Sequence, residues 1–537
     1  MNTMNRQTRW ELTLHSRYFR KRKPIFASKP RHLATAQCLS SHANCESTIK
    51  PSLPTRLLDL GGVGRSQDVI RLVESDTIPE RHHRYTILSH CWGSLELPKT
   101  IISSRAQNSD PGIMVSLLPK TFQNAITITR ALSLRYLWID SLCIIQDDES
   151  DWQHEASRMS SYYQNSHLTI AATSAHDAHR GLFLETVNSS LYLAKDADEG
   201  LVAARLHIPH PEEWLRLRSP LTSRVWVLQE EILSVRTIHC MTEQWFWKCR
   251  IMEESEDGAY QMTTTNRILT PTVSGPCTER ENDMYRWMEI AAEYSRRHLT
   301  YEKDRLPALS GITDFYQHQM KDKPLLGAWI STIAYDLGWK VSYPENSDSS
   351  EIVPRVSDSI PSWSWFSRLT QHRRLGCIWF DYFVLDHSQK GPRSQLTKAV
   401  ECDVVWSGQS MTSQLLSASL VVEGPATTRR SLPSTHISDP QTSTEVCVSY
   451  DDRKTMGEDN DTELVLFLWN ATIQSDDALV TLVEQSLLLE IVEKEPLTCR
   501  RIGIESRLEF DVDQSTLPHA QFLSLSNEVP VKRIRLI

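Results

Sequence analysis

The sequence predicts an α/β protein: a parallel sheet flanked by helices, then a helical segment and a β-rich C-terminal region. Residues 134–172 give the clearest signal, because an apolar run, an acidic loop, a helical pattern and a second apolar run follow one another there. Residues 85–140 repeat the order of strand, connection, amphipathic helix and strand. Such units build parallel sheets with right-handed crossovers. Residues 376–425 and 463–510 instead show short strand patterns separated by polar turns.

Apolar alternation places the strands of the first half. It predicts them at residues 56–60, 69–74, 85–90, 136–140 and 167–172, and two short aromatic strands within residues 237–249. The strand at residues 85–90 runs directly into Cys91-Trp92-Gly93, where Gly93 is the expected turn. Residues 94–117 are polar and turn-rich, which predicts a surface excursion between this strand and the next helix.

Apolar residues at three- and four-residue spacing place the helices. They predict helices at residues 119–133, 150–163, 220–234, 282–298 and 303–319. Ser150 with Gln153 three residues later is a capping-box pattern, and acids at residues 147–149 and 151 suit the positive end of the helix dipole. The aromatic run PSWSWF at residues 361–366 is expected to fill a core.

Composition bounds the class of protein. A chain of 537 residues with 40 % hydrophobic residues can bury a sizeable core, and its length suggests about three domains. A net charge of −9 argues against a nucleic-acid-binding surface, and the longest apolar runs are too short to span a membrane. Eleven cysteines at irregular spacing give neither a disulfide framework nor a CxxC zinc signature, so we expect no metal site and a reducing, intracellular compartment.

Four regions follow from these patterns. Residues 1–50 are a basic arm, expected to be disordered, since residues 1–32 hold nine Lys or Arg and a single acid, Glu11. An organelle presequence or a nuclear signal is the alternative interpretation of this arm. Residues 51–250 form the first domain, with core motifs at 85–183. The helical continuation at 251–375 and the β-rich region at 376–537 follow, the latter with a disordered loop at about 427–462.

Candidate pocket residues lie where predicted parallel strands end, because open α/β folds bind ligands at that edge. Asp140 ends one strand, and Ser89, Cys91 and Trp92 end its neighbour, so all four are expected to face one crevice. Asp140 either contacts a ligand or caps backbone N–H groups of the loop. A Cys91 thiolate nucleophile is disfavoured, because adjacent strand residues point to opposite faces and His90 is poorly placed to activate it.

Glu155 is the candidate catalytic acid. It follows Trp152 by three residues, at the edge of the apolar stripe of the helix at 150–163. A carboxylate there is either half-solvated at the rim of the sheet or held in a cleft with a partner, and the second case would need a functional reason because burying a charge is costly. Glu230 is by default a surface acid, and a reserve candidate if its helix packs over the crevice.

Several ordered blocks closely resemble the fungal heterokaryon incompatibility (HET) domain. They are YTILSHCWG at 85–93 and the blocks at 118–151, 152–163, 168–175 and 181–183. Residues 224–233 (RVWVLQEEIL), 294–311 and PSWSWF resemble blocks that follow this domain in such proteins. The resemblance spans about residues 53–370. His90 stands where the family very often has Tyr, which affects the expected ligand contacts more than the fold.

The resemblance implies a cytoplasmic regulator of self/non-self recognition, whose HET domain triggers programmed cell death when incompatible hyphae fuse. It also implies a fold similar to the TIR domain of innate immunity, a flavodoxin-like parallel sheet. Some TIR domains cleave NAD through a glutamate, often in a Trp-x-x-Glu context that Trp152 and Glu155 resemble, so Trp152 is a further candidate for the substrate pocket. Two hypotheses therefore stand: a signalling module acting through self-association or protein partners, and an NAD(+) nucleosidase-type hydrolase with NAD as substrate and no further cofactor.

Overall fold

The computed structural model confirms the α/β class and forms two compact units, Met1–Ser223 with Glu230–Thr270 and Arg224–Gln229 with Pro271–Ile537. Most of the predicted arm at residues 1–50 lies outside the described residues. The structure describes residues 38, 41–42, 45, 52–61, 67–80, 83–183, 190–196, 200–205, 219–242, 245–256, 260–263, 279–342, 355–357, 359–368, 377–380, 393–429, 442–451, 463–474, 480–511, 526 and 529–537.

The first unit holds twelve strands among its described residues. They are β1 Arg56–Asp59, β2 Val69–Glu74, β3 Tyr85–Ser89, β4 Ile113–Met114, β5 Tyr136–Trp138, β6 Leu168–Ala171, β7 Ser190–Asp196, β8 Gly200–Arg205, β9 Arg236–Cys240, β10 Trp245–Cys249, β11 Met252–Ser255 and β12 Gln261–Thr263. Its helices are α1 Arg105–Ser109, α2 Lys120–Ala131, α3 Asp140–Cys143, α4 Glu149–Asn165 and the end of α5 Val225–Leu233.

Ten of these strands form one mixed sheet. Its order is β12-β11-β10-β9-β6-β3-β5-β1-β2-β4. The four central strands β9, β6, β3 and β5 are parallel, whereas the neighbouring strands on both sides pair antiparallel. The predicted parallel sheet is therefore present as the centre of a larger mixed sheet. Antiparallel strands extend it because hairpins such as β9–β10 need only short connections.

Burial explains why the central elements form where the sequence predicts them. Every residue of β3 is buried, as expected for a strand covered on both faces. Helix α2 lays Phe122, Ala125 and Ile126 on its buried face, and its Thr129 hydroxyl lies 2.6 Å from that of Thr86 on β3. The connection from β3 through α2 to β5 is thus a parallel crossover packed on the sheet.

The beginnings of two helices differ from the sequence prediction. Asp140 is the first residue of the short helix α3 rather than the last residue of a strand. Helix α4 is capped by Asp148, which accepts hydrogen bonds from the backbone N–H groups of Ser150 and Asp151 at 3.0 and 3.1 Å. The Ser150 capping box is therefore wrong, because an aspartate two residues earlier already satisfies these donors. The acidic run does serve helix initiation at this position.

The second unit combines helices with a β-rich region. Its helices are the beginning of α5, α6 Glu279–Ser295, α7 Pro307–Met320 and α8 Ile333–Asp336. Its described strands are β13 Pro324–Leu325, β14 Ala328–Trp329, β15 Trp339–Ser342, β16 Cys377–Phe380, β17 Arg393–Gln395, β18 Lys398–Trp406, β19 Leu415–Thr428, β20 Thr442–Tyr450, β21 Glu463–Gln474, β22 Val480–Lys494, β23 Leu497–Asp511 and β24 Val531–Leu536. None of the helices in the described part of the chain has the length and apolar character to cross a bilayer.

Strands β17 to β24 form one largely antiparallel sheet, of order β17-β21-β22-β23-β24-β19-β18, with β20 paired to β23. Strand β20 lies inside the segment 427–462 that composition predicts as a loop. Residues 430–441 and 452–462 of that segment lie outside the described residues.

The aromatic run at residues 361–366 fills a core, as predicted. Trp363, Trp365 and Phe366 are at most 3 % exposed. The indole N–H groups of Trp365 and Trp287 both donate to the carbonyl oxygen of Gly327, at 2.8 and 2.9 Å. The indole rings therefore supply both packing and hydrogen bonds, as buried tryptophans usually do.

Candidate functional site

The residues that follow β3 surround a carboxylate, that of Asp140. Asp140 accepts hydrogen bonds from the indole N–H of Trp92 and from the backbone N–H of Ser141, both at 2.7 Å. Its second neighbour is His90, whose Nδ1 lies 3.7 Å from an Asp140 carboxylate oxygen. The Asp140 side chain keeps 27 % of its surface exposed, so it remains accessible from solvent. We call these residues, with Ser89, the Asp140 site.

Two buried hydroxyl groups at the Asp140 site have no hydrogen-bond partner among the described residues. They belong to Ser89, the last residue of β3, and to Ser141, the second residue of α3. Buried polar atoms are normally satisfied, so such hydroxyls can bond a polar ligand or water. Cys91 is buried beside them at 6 % exposure. Of the predicted pocket residues, Trp92 and Asp140 are in direct contact through the indole hydrogen bond.

The loop after β6 closely approaches the turn after β3. Gly93 has φ +79°, and a Cβ at this position would lie 2.4 Å from the Cβ of Asp177. The Asp177 carboxylate in turn accepts from the backbone N–H groups of His179 and Arg180, at 2.8 and 3.0 Å. The close approach therefore requires glycine at residue 93, because a side chain would need both a strained backbone and space that Asp177 occupies.

Glu155 belongs to a second, buried arrangement, the Glu155 cluster, formed with Arg56, Asp151 and Tyr162. Its side chain is 0 % exposed. The Tyr162 hydroxyl donates to one Glu155 carboxylate oxygen at 2.9 Å, and the other oxygen lies 3.8 Å from the Arg56 guanidinium. That second oxygen accepts no hydrogen bond from the described residues. Glu155 is therefore held in place by partners rather than half-solvated at the rim of the sheet.

Arg56 on β1 organises this cluster. Its guanidinium donates to both carboxylate oxygens of Asp151, at 2.8 and 2.6 Å, and to the backbone carbonyl of Cys143 at 2.8 Å. Burial alone would lower the pKa of Arg56, but hydrogen bonding and the charges of Asp151 and Glu155 raise it overall. The guanidinium therefore stays charged, and it joins β1, α3 and α4 by charge-assisted hydrogen bonds.

Cys143 lies within electrostatic range of both sites. Burial raises the pKa of its thiol to about 12; the charge of Arg56 opposes this rise, and those of Glu155 and Asp140 add to it. The thiol is therefore protonated and unreactive at neutral pH. Among the described residues, the Asp140 site and the Glu155 cluster share no hydrogen-bonded side chain. Glu155 is fully buried, whereas the Asp140 side chain is 27 % exposed.

The blocks that build both sites match a known family. Residues 85–230 match the family model described as Heterokaryon incompatibility protein (HET). The chain contains a HET domain. No curated protein and no solved structure matches the chain. The matched residues include β3, β5, β6 and every residue of the Asp140 site, whereas Arg56 lies before the matched segment.

The remaining predicted residues of the HET domain have different surroundings. Trp152 is half-buried on α4. Glu230 is buried at 7 % exposure rather than on the surface. Its backbone carbonyl accepts from the Ser234 hydroxyl, which lies 2.7 Å from that of Thr169 on β6. Whether Glu230 serves as a reserve acid stays a prediction.

Sequence reasoning missed Arg56, Tyr162 and Ser141. The short pattern RLLDL identifies a strand but gives no sign that its arginine faces two acids of a distant helix. Tyr162 stands seven residues after Glu155, two helical turns along the same face, and that spacing could have pointed to it. Among the described residues, the one group of His, Cys, Asp or Glu side chains with metal-ligand geometry lies outside both sites and comprises Cys38, His42, Cys45 and Cys249.

Proposed function

We propose that this protein is a heterokaryon-incompatibility regulator, whose HET domain responds to non-self by triggering programmed cell death. The observation that carries the proposal is the family match over residues 85–230, which includes three parallel strands and the whole Asp140 site. A cytoplasmic location and action through self-association or protein partners belong to the same proposal. Light scattering of the purified full chain tests self-association.

The order of the parallel strands supports a TIR-like, flavodoxin-like core. Along the chain, the parallel strands come in the order β3, β5, β6, β9. Across the sheet, their order is β5-β3-β6-β9, so the second strand of the chain stands first and the first stands second. Flavodoxin-like sheets have this order and bind ligands where the order reverses, at the carboxyl ends of the first and third strands. Those strands are β3 and β6 here, and Trp92, which follows β3, donates a hydrogen bond to Asp140.

Cleavage of NAD by Glu155 is the second candidate function. A carboxylate with one oxygen lacking a hydrogen bond could stabilise an oxocarbenium-like ribosyl centre as nicotinamide leaves. Ser89, Trp92 and Asp140 would then bind the ribose and the base. Full burial and the ion pair with Arg56 favour the regulator without chemistry, because substrate could reach Glu155 only if β1 and α4 separated.

Expression in a filamentous fungus tests both candidates. The wild-type chain, Glu155→Gln and a matched control, Glu149→Gln, are induced at equal abundance, and cellular NAD and viability are followed together. Glu149 is an exposed acid of the first turn of the same helix. We expect death with the wild type and the control before any fall in NAD.

Two outcomes would change this assignment. A fall in NAD with the wild type and Glu149→Gln that disappears in Glu155→Gln, at equal soluble abundance, supports the enzyme. Unimpaired growth with abundant wild-type protein in every strain background contradicts the regulator. Asp140→Asn adds a second comparison, because it alters the crevice without touching the buried Arg56 ion pair.

A further inference from the structure

Four metal-ligating side chains converge on the first unit, outside the residues matched by the HET family. Cys38, His42 and Cys45 come from the N-terminal segment, with the spacing C-x3-H-x2-C, and Cys249 comes from the end of β10. One ligand atom from each residue lies within 4.8 Å of all the others. The three cysteines are buried and His42 is half-buried. We call this group the cysteine–histidine cluster.

Local backbone geometry explains how the N-terminal segment presents three ligands. The backbone N–H of His42 donates to the Cys38 carbonyl at 3.2 Å, which closes one α-helical turn and puts both side chains on the same face. The N–H of Cys45 donates to the His42 carbonyl at 2.9 Å, so the chain turns back once more and returns a third ligand. Cys249 completes the group from the sheet.

The spacing of the ligand atoms suits a tetrahedral zinc ion. Zinc binds sulfur at about 2.3 Å and histidine nitrogen at about 2.1 Å, so sulfur and nitrogen atoms on one tetrahedral ion lie about 3.6 Å apart. The Cys249 sulfur and His42 Nδ1 lie 3.5 Å apart. With every ligand atom already within 4.8 Å of the others, small side-chain movements complete the coordination.

Arg236 supports the cluster from the neighbouring strand. It is the Cα partner of Cys249 in the β9–β10 pair. Its guanidinium donates to the Cys38 sulfur at 3.3 Å and to the Cys45 carbonyl at 2.6 Å. Three thiolates and one Zn²⁺ carry a net charge of −1, and a buried arginine beside them offsets it. Partners of this kind commonly orient metal ligands and tune the sulfur atoms.

We propose that Cys38, His42, Cys45 and Cys249 bind one zinc ion in a closed, structural Cys₃His site that fixes the N-terminal segment to the β9–β10 hairpin. Thiolate ligands select zinc over magnesium or calcium, which prefer oxygen. Four protein ligands leave no open position for water or substrate, so the site stabilises the fold and performs no chemistry.

Cysteine spacing alone does not reveal this site, and it led to the expectation that the chain has no metal site. Three ligands lie in a short pattern that lacks CxxC, and the fourth follows 207 residues after His42. Only the pairing of β9 with β10 and the position of the N-terminal segment beside them complete a tetrahedral set.

Metal analysis of the purified full-length chain tests the proposal. We expect about one zinc per chain by mass spectrometry of the metal content, and less than about a tenth of that in Cys38→Ser and Cys249→Ser. Cys240→Ser is the matched control, because Cys240 is a buried cysteine of β9 outside the cluster, and it should keep its zinc. Zinc retained equally by both ligand variants overturns the proposal.

If the variants fail to fold, measurements on the wild-type protein still test the zinc proposal. Replacement of the metal by Co²⁺ should give the visible absorption of a tetrahedral site with thiolate charge-transfer bands, and His42→Cys should keep one metal and shift the spectrum to that of four sulfur ligands. A metal-free, folded wild-type chain whose buried cysteines react freely with a thiol reagent overturns the proposal. So does a native disulfide between any two of the three cysteines.

Discussion

Replacing Arg56 by methionine tests the reasoning about the Glu155 cluster. Methionine fills much of the same space but donates no hydrogen bond. The variant therefore leaves the Asp151 and Glu155 carboxylates facing each other without a cation, and it leaves the Cys143 carbonyl without its donor. Glu155 is the critical group because it is fully buried, whereas Asp151 keeps 14 % of its side-chain surface.

The expected loss of stability is large. Removing one partner of a buried ion pair costs about 3–5 kcal/mol, because the remaining charge is left in a poorly solvated position. At about 1.36 kcal/mol per factor of ten, a loss near 4 kcal/mol corresponds to a roughly thousandfold larger equilibrium constant for the local opening of α4. Hydrogen exchange of α4 peptides measures this locally, which matters because the chain has two units and need not unfold in one step.

A surface ion pair provides the matched control. Arg105 and Glu74 are 2.7 Å apart, close to the 2.6 Å between Arg56 and Asp151, but their side chains are 47 % and 40 % exposed. Arg105→Met should therefore change stability by less than about 1 kcal/mol. Glu155→Gln in the Arg56→Met background should recover part of the loss, with a coupling of about 1–3 kcal/mol between the two positions.

The reasoning is refuted if Arg56→Met costs no more than Arg105→Met and the two substitutions at Arg56 and Glu155 are additive. The ion pair with Arg56 would then contribute nothing measurable to stability, and the burial of Glu155 would need another explanation. A strong coupling instead identifies the pair as structural, which makes protein abundance an essential control in every activity test of Glu155→Gln.

Three further predictions concern buried charges elsewhere. Arg501→Met should lower the stability of the second unit by about 3–5 kcal/mol in urea denaturation, because Arg501 is fully buried and bonds Asp451 at 2.7 Å. Burial lowers the pKa of His239 from 6.5 to about 4. Its contribution to the free energy of unfolding is therefore complete above pH 6.5 and is lost as the pH falls toward 4. His239→Gln should flatten the acid side of the profile of stability against pH. Burial raises the pKa of Asp336 from 3.8 to about 7. Its contribution to the free energy of unfolding is therefore lost as the pH rises through that interval. Asp336→Asn should gain stability relative to the wild type between about pH 5 and 8, which thermal unfolding at each pH measures.

Local periodicity determined the elements of this protein. Helix α4, predicted at residues 150–163, runs over Glu149–Asn165, and the strands at β3, β5 and β6 lie where apolar alternation places them. The period of the apolar side chains is a local property of the chain, so it can be read without knowing any partner. The ordered blocks from Tyr85 onward likewise identified the HET domain. Trp92 and Asp140, both expected at the same edge of the sheet, form a hydrogen bond there.

Only the tertiary structure decided which charges and ligands meet. The antiparallel position of β1 beside β5 brings Arg56 to Asp151 and Glu155, and the pairing of β9 with β10 brings Arg236 and Cys249 beside the N-terminal cysteines. These contacts join residues 95 and 198 positions apart. Sequence spacing carries no information at that range, because a strand's neighbours are set by the packing of the whole sheet. The fate of a buried carboxylate or thiol therefore depends on partners that only the folded chain supplies.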